Sequence, residues 1–337
     1  MSEAAALAAP PLSAGPRSAL MRFTVDPWDP GYGQAFSDEQ AGSGGALSES
    51  SALLDLDLEM PAEDWQPIGP PLGLPLPKSV LFLDGVRRID ARVWVNGGGL
   101  QPVAGIAASL AAGLVVCHGV AHVADVAVER GLFTAAGDAG DLVTRAGRYV
   151  ARAAQGPGLD QLSLALQQRL AFAEVQLAVS YRAAHPSDDD LLVVDGPLRG
   201  RAHLDRTVGF IKTHHASYLP GEQAAVVGAL KAGQRTPVFT MGTSWQRNSW
   251  YLQLPGTDGV PWSGVVRLEC SADLAVADVT RLADLTACVL PPFASTPHKD
   301  PRAPQNLVPI GGLERQLKHR LGDELLLYRA LRSAALG

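Results

Sequence analysis

Two uninterrupted apolar runs, Val80-Leu81-Phe82-Leu83 and Leu191-Leu192-Val193-Val194, have the pattern of strands buried on both faces, and each leads directly into Asp-Gly. Asp84 and Asp195 are thereby predicted to stand at strand ends, each beside a turn. Ala91, Val93 and Val95 alternate with Arg92, Trp94 and Asn96, which predicts a second strand over 90–95, and Val103 to Cys117 predicts a third. A three-stranded meander therefore opens the folded body at Ser79. Helical spacing follows over 139–153 and again over 158–184, where Leu162, Leu166, Leu170, Ala173, Leu177 and Tyr181 recur on one face. Beyond the second Asp-Gly strand, short strands are predicted at 207–212, 236–241, 250–254 and 264–270, and helices at 221–232, 271–285 and 309–335. Residues 48–60 fit either a short helix or a strand.

This alternation describes one mixed α/β domain over 79–337. Ahead of it, residues 1–20 read as a disordered tail and 21–78 as an extended arm rich in Gly, Ser, Pro and acid. The arm carries isolated aromatics, Trp28, Tyr32, Phe36 and Trp65, which it must bury against something. At 47% hydrophobic residues the 337-residue chain can build a sizeable core, and its net charge of −6 gives no general attraction for nucleic acid. DNA contact, if made, must be local or delivered by a partner. Cys117, Cys270 and Cys288 are few and far apart, offering neither a disulfide framework nor zinc spacing. With no stretch of ~18 charge-free apolar residues, no membrane span is predicted, and a cytoplasmic location is expected.

An isolated Asp-Gly is most often only a turn, but two carboxylates at neighbouring strand ends can converge on one hard cation. Glu174 adds a third acid, set among Leu170, Phe172, Ala173, Val175 and Leu177 on the long helix, where either Arg169 or Arg182 could pair with it. Burying it unpaired would cost several kcal/mol, so it marks either the edge of the apolar stripe or a ligand. Lys212 closes the strand after Asp195, as a structural counter-ion or a phosphate contact. His214 and His215 point to opposite sides of an extended chain, and His118 with His122 makes a weak metal pair in a partly β pattern. The run Pro297-His298-Lys299-Asp300-Pro301-Arg302-Ala303-Pro304-Gln305-Asn306 packs polar side chains into a loop stiffened by prolines, either a rigid connector or a pre-organised site.

Taken together, Phe82-Leu83-Asp84-Gly85, Glu174 ahead of Val194-Asp195-Gly196-Pro197-Leu198, Val208-Gly209-Phe210-Ile211-Lys212 and the stretch from His298 to Leu307 resemble the NurA family of nucleases. The resemblance covers roughly Ser79 to the C-terminus and implies a ribonuclease H-like mixed sheet with flanking helices. It implies a homodimeric, manganese- or magnesium-dependent deoxyribonuclease that works with a HerA-type hexameric translocase in resecting DNA ends during double-strand break repair. Carried over by position, Asp84, Glu174 and Asp195 would be the metal carboxylates. Lys212 and His298 would complete the catalytic set, and Lys299 and Arg302 would contact DNA. Glu129 rivals Glu174 as the third acid. The tyrosine that archaeal members carry before the histidine is replaced here by Leu290-Pro291-Pro292-Phe293, leaving Tyr251 or Tyr218 as substitutes. The alternatives are an inactive ribonuclease H-like module that binds DNA or the translocase, and a phosphotransferase, which would need Gly-rich phosphate turns not evident here.

Overall fold

The apolar run that begins at Val80 does not stop at Asp84-Gly85. In the computed structural model of the chain it is the first part of one 18-residue strand. The structure describes residues 21–27, 48–49, 52–96, 101–187, 189–214, 216–243, 245–256 and 262–336. The expected tail, together with Trp28, Tyr32, Phe36 and His215, lies outside the described residues. In chain order the strands before the long helix are β1 (Arg22–Val25), β2 (Ser48–Glu49), β3 (Leu53–Asp55), β4 (Ser79–Asn96), β5 (Val103–His118), β6 (Val120–Thr134), β7 (Leu142–Thr144) and β8 (Gly147–Ala153). Helix α1 (Leu159–Ala184) is followed by β9 (Asp190–Asp195), β10 (Thr207–Ile211), β11 (Ala216–Ser217), α2 (Gly221–Gly228), β12 (Phe239–Gly242), β13 (Gln246–Gln253), β14 (Val265–Ser271), α3 (Val276–Val289), α4 (Val308–Arg320) and α5 (Glu324–Leu336).

Among the described residues twelve strands form one mixed sheet, ordered β3-β12-β13-β14-β10-β9-β4-β5-β6-β8-β7, with β1 beside the far half of β4. The β9 strand runs parallel to both β4 and β10, whereas β4, β5 and β6 form the antiparallel meander. Two apolar layers sandwich the centre. Phe82, Val193, Phe210 and Trp250 meet Val279, Ala283, Ile310, Leu313 and Leu317 from α3 and α4. On the opposite face Leu81, Leu83, Leu192 and Val194 meet Leu162, Leu166, Leu170, Ala173 and Leu177 from α1. This is a mixed α/β architecture with helices on both sides of the sheet.

Four expectations change. The strands predicted at 80–84 and 90–95 are one strand, interrupted by a register shift between Ile89 and Ala91. The buried Asp90 at that irregularity accepts hydrogen bonds from Ser109 Oγ and Tyr149 Oη, so the polar residue that looked like a break is satisfied inside. The segment 139–153 is the hairpin β7–β8 instead of a helix: its small residues imitate helical spacing, but Tyr149 is wholly buried and Thr144 Oγ1 donates to Gly147 O across the turn. The C-terminal helix is two helices, divided at Gly322, whose φ of 86° only glycine adopts without strain.

The fourth change concerns the arm. Within it β3 pairs with β12 and β1 with β4, so parts of it are strands of the sheet. Trp65, one of the aromatics the arm has to bury, lies buried against Phe239, with its indole nitrogen donating to Leu56 O. Among the described residues no helix is long and apolar enough to cross a membrane. Cys117, Cys270 and Cys288 are free thiols.

Candidate metal centre

The parallel register of β4 and β9 sets Leu83 opposite Val194, so the next residues, Asp84 and Asp195, stand abreast on neighbouring strands. By alternation both continue the face of Phe82 and Val193, beneath α3 and α4. Asp195 does close its strand, and Gly196 turns the chain away at φ 91°. Asp84 does not end a strand, because β4 continues its pairing with β5, setting Gly85 opposite Ala112. Gly85 has a different purpose. A Cβ there would lie 2.5 Å from Glu174 Oε1 and 2.7 Å from Leu170 Cδ1, so the bare α-carbon is what lets the α1 carboxylate reach β4 at Gly85, from the face opposite the two aspartates.

The three acids share one electrostatic environment. Burial holds the Asp84 carboxyl well above the usual carboxylate range, the negative charge of Asp195 raises it further, and Lys212 opposes both. Burial likewise raises Glu174, against the stabilising charge of Arg201. Lys212 Nζ donates to Asp195 Oδ2 at 2.7 Å and to Asn306 Oδ1 at 3.0 Å, and Asn306 Nδ2 donates to Asp300 Oδ2 at 2.6 Å. The proline-rich loop is thus wired through Asn306 to the end of β9. Gln305 adds a second tie, with Nε2 donating to Lys212 O and Val265 O, each at 3.1 Å. On the α1 side Arg201 donates to Glu174 Oε2 and to Pro197 O, so the loop after Asp195 closes over Glu174.

Each expected site residue can now be placed. Asp84 and Asp195 stand abreast with Lys212, and Glu174 reaches the same stretch of β4 from the α1 side, near enough for the charges to interact. Glu129, the rival acid, is committed elsewhere, on β6, to Arg169 at 2.6 Å and Arg152 at 3.2 Å. Arg182, the other candidate partner for Glu174, instead clamps Asp190. His298 and Lys299 occupy an exposed turn and make no hydrogen bond or ion pair with the three acids among the described residues. Arg302 is tied to Asp300 and, at 2.6 Å, to Glu314, which makes it a brace of its own loop. Tyr251 is buried among Phe239, His214 and Trp262, and burial pushes its hydroxyl up to about 12. Tyr218 lies under the Arg267 guanidinium. Sequence reasoning missed Arg201 and passed over Asn306 as one polar residue among many. The signal for Arg201 was its position in Pro197-Leu198-Arg199-Gly200-Arg201, immediately after a candidate ligand strand.

Among the described residues no three His, Cys, Asp or Glu side chains are gathered closely enough to hold a metal ion as they stand. Asp195 is paired with Lys212 and Glu174 with Arg201, and Glu174 comes to the sheet from the face opposite the two aspartates. The donor chemistry nevertheless fits a hard cation, since the acids offer only oxygen and Asp195 Oδ1 is buried without a hydrogen-bond partner. Gly85→Ala tests the convergence directly. If the acids hold a divalent cation for catalysis, the added methyl should push Glu174 away and lower activity at least ~10-fold, while the melting temperature moves only a few degrees, as for a modest overpacking. Parallel kinetics and thermal melts of the variant check it, and undiminished activity would mean that Glu174 has no part in the site.

Comparison with known proteins adds a structural likeness. No family model matches the chain, and no curated protein matches it. Among solved structures, the crystal structure of the NurA nuclease from Sulfolobus solfataricus is similar at 10% identity and a TM-score of 0.42, over 76% of this chain and 84% of that one.

Proposed function

We propose that this protein is a divalent-cation-dependent deoxyribonuclease with a ribonuclease H-like catalytic centre. The observation that carries the proposal is the placement of Asp84 and Asp195 abreast on parallel strands, with Glu174 brought close to the same stretch of β4 at Gly85. Mn²⁺ or Mg²⁺ would be held by Asp84, Glu174 and Asp195, and when bound would supply Lewis-acid stabilisation and a water acidified toward neutral pH. The chain's own groups do the rest. Lys212, fixed by Asn306, presents a positive charge toward a phosphoryl oxygen. His298, exposed on the proline-rich turn, exchanges a proton with the leaving oxygen once DNA lies across the site. Lys299 contacts the phosphate backbone from the same turn, and Arg302 keeps that turn rigid through Asp300 and Glu314.

The sequence resemblance extends the proposal to a homodimer that acts with a HerA-type hexameric translocase on DNA ends in break repair. The negative net charge supports delivery of DNA by such a partner over capture by a broad basic surface. The cation-bound state of Asp195 and Glu174 also favours a second reading, an inactive ribonuclease H-like module that binds DNA or the translocase without cutting. Digestion of linear DNA in parallel with Mn²⁺, Mg²⁺ or Zn²⁺ separates the two. The nuclease should work with Mn²⁺ or Mg²⁺ and poorly with Zn²⁺, because a carboxylate-only site suits hard cations. No digestion with any cation, alone or with the translocase, would favour the binding module.

A further inference from the structure

We propose that Arg201 is a displaceable counter-ion: it holds Glu174 until a divalent cation arrives, and on release turns its guanidinium to a phosphodiester oxygen of the substrate. The inference rests on the nuclease reading and adds a residue and a loading step to it.

The case begins with how incompletely Arg201 is held. Its side chain is only 12% exposed, yet Nε is buried without a hydrogen-bond partner, and its bonds go to Glu174 and to Pro197 O. A structural arginine in the same region looks different. Arg182 grips both oxygens of Asp190 and donates to Asp205 O as well. Arg88 and Arg130 also carry a buried nitrogen without a hydrogen-bond partner, so what sets Arg201 apart is that its carboxylate partner is Glu174. Across the site Asp195 Oδ1 is the matching unsatisfied acceptor, although Lys212 occupies the other oxygen. Asp195 is paired with Lys212 and Glu174 with Arg201, Arg87 adding positive charge near Glu174, and each pair leaves one polar atom without a hydrogen-bond partner.

The loop can accommodate such a change. It leaves β9 through Gly196 at φ 91° and passes Gly200 at φ 77° immediately before Arg201. A guanidinium freed from Glu174 stays at the edge of the carboxylates, and its planar fork matches two phosphate oxygens in a way a point charge does not. The competing view is that Arg201 only neutralises a buried acid and keeps α1 in place. The two views predict opposite changes in metal affinity.

The test is calorimetric titration of the full chain with MnCl₂, for the wild type and Arg201→Gln, paired with fluorescence anisotropy of a short labelled single-stranded DNA in Ca²⁺. Removing the competitor should tighten Mn²⁺ binding by Arg201→Gln about tenfold over wild type, while the Ca²⁺-dependent gain in DNA affinity should be lost. Mn²⁺ binding that is weaker than wild type or unchanged in the folded variant would overturn the counter-ion role. Absence of Mn²⁺ binding by the wild type would instead overturn the nuclease reading beneath it. If Arg201→Gln does not fold, Arg201→Lys carries the test. It keeps the charge and loses the fork, so Mn²⁺ affinity should stay within about threefold of wild type while DNA affinity falls, and unchanged DNA affinity would refute the phosphate contact.

Discussion

Asp195→Asn is expected to lower the rate of DNA hydrolysis by about 10²–10³-fold or more while leaving the fold intact. The substitution keeps the side chain's volume at the end of β9 and removes the negative charge to which Lys212 donates at 2.7 Å. Its stability cost is softened from two sides. The ion pair is partly open to solvent, with 19% of Lys212 and 16% of Asp195 exposed, and the charge removed is one that repels Asp84. A net change of about 1–2 kcal/mol in either direction is therefore expected by thermal or denaturant unfolding. Asp84→Asn should behave alike in kinetics and should be at least as stable as wild type, because Asp84 is held buried against its preference for losing charge. A folded Asp195→Asn protein that cuts at the normal rate would remove Asp195 from the chemistry.

The largest effect on stability is expected far from the acids, at Glu59→Ala. Arg235 is almost fully buried, donates from both terminal nitrogens to Glu59 at 2.8 Å, and meets Asp284 of α3 at 2.7 Å. Glu59 also accepts from Val238 N at 2.7 Å. Truncating it leaves a buried guanidinium with half its counter-charge and an unpaired backbone donor, a loss of about 3–5 kcal/mol. Equilibrium unfolding of the variant against Glu59→Gln measures it, and a loss below ~1 kcal/mol would show that the arm is not anchored by this ion pair. A long N-terminal deletion would break the same contacts. Removal through Gln66 takes away β1, β3, Glu59 and Trp65 together, so failure to assemble would reflect a damaged sheet before it reflected a lost interface.

The two Asp-Gly strands were readable from sequence because burial on both faces leaves an unbroken apolar run, and parallel pairing then aligns their acids. Glu174 was readable as an acid out of place on an apolar face, though its geometric partner, Gly85, looked like turn punctuation. Gly85 is mid-strand, and its small size serves a side chain arriving from 89 residues further along the chain, which no local pattern reveals. The misplaced helix over 139–153 has a similar origin. Small and alternating residues fit two periods, and the choice between them was made by pairing with β6 and by burial of Tyr149 against Asp90. Arg201, Asn306 and the Glu59–Arg235 pair depend on contacts between distant segments, so their roles emerge only when the sheet is assembled.

The central claim is that Asp84, Glu174 and Asp195 form one cation-dependent cutting centre. It is tested most directly by digesting end-labelled linear duplex DNA with the purified protein in Mn²⁺ and in EDTA, beside folded Asp195→Asn. Cutting by wild type in Mn²⁺, and none in EDTA or by Asp195→Asn, is the result predicted. Equal cutting in EDTA, or by the folded variant, would contradict it.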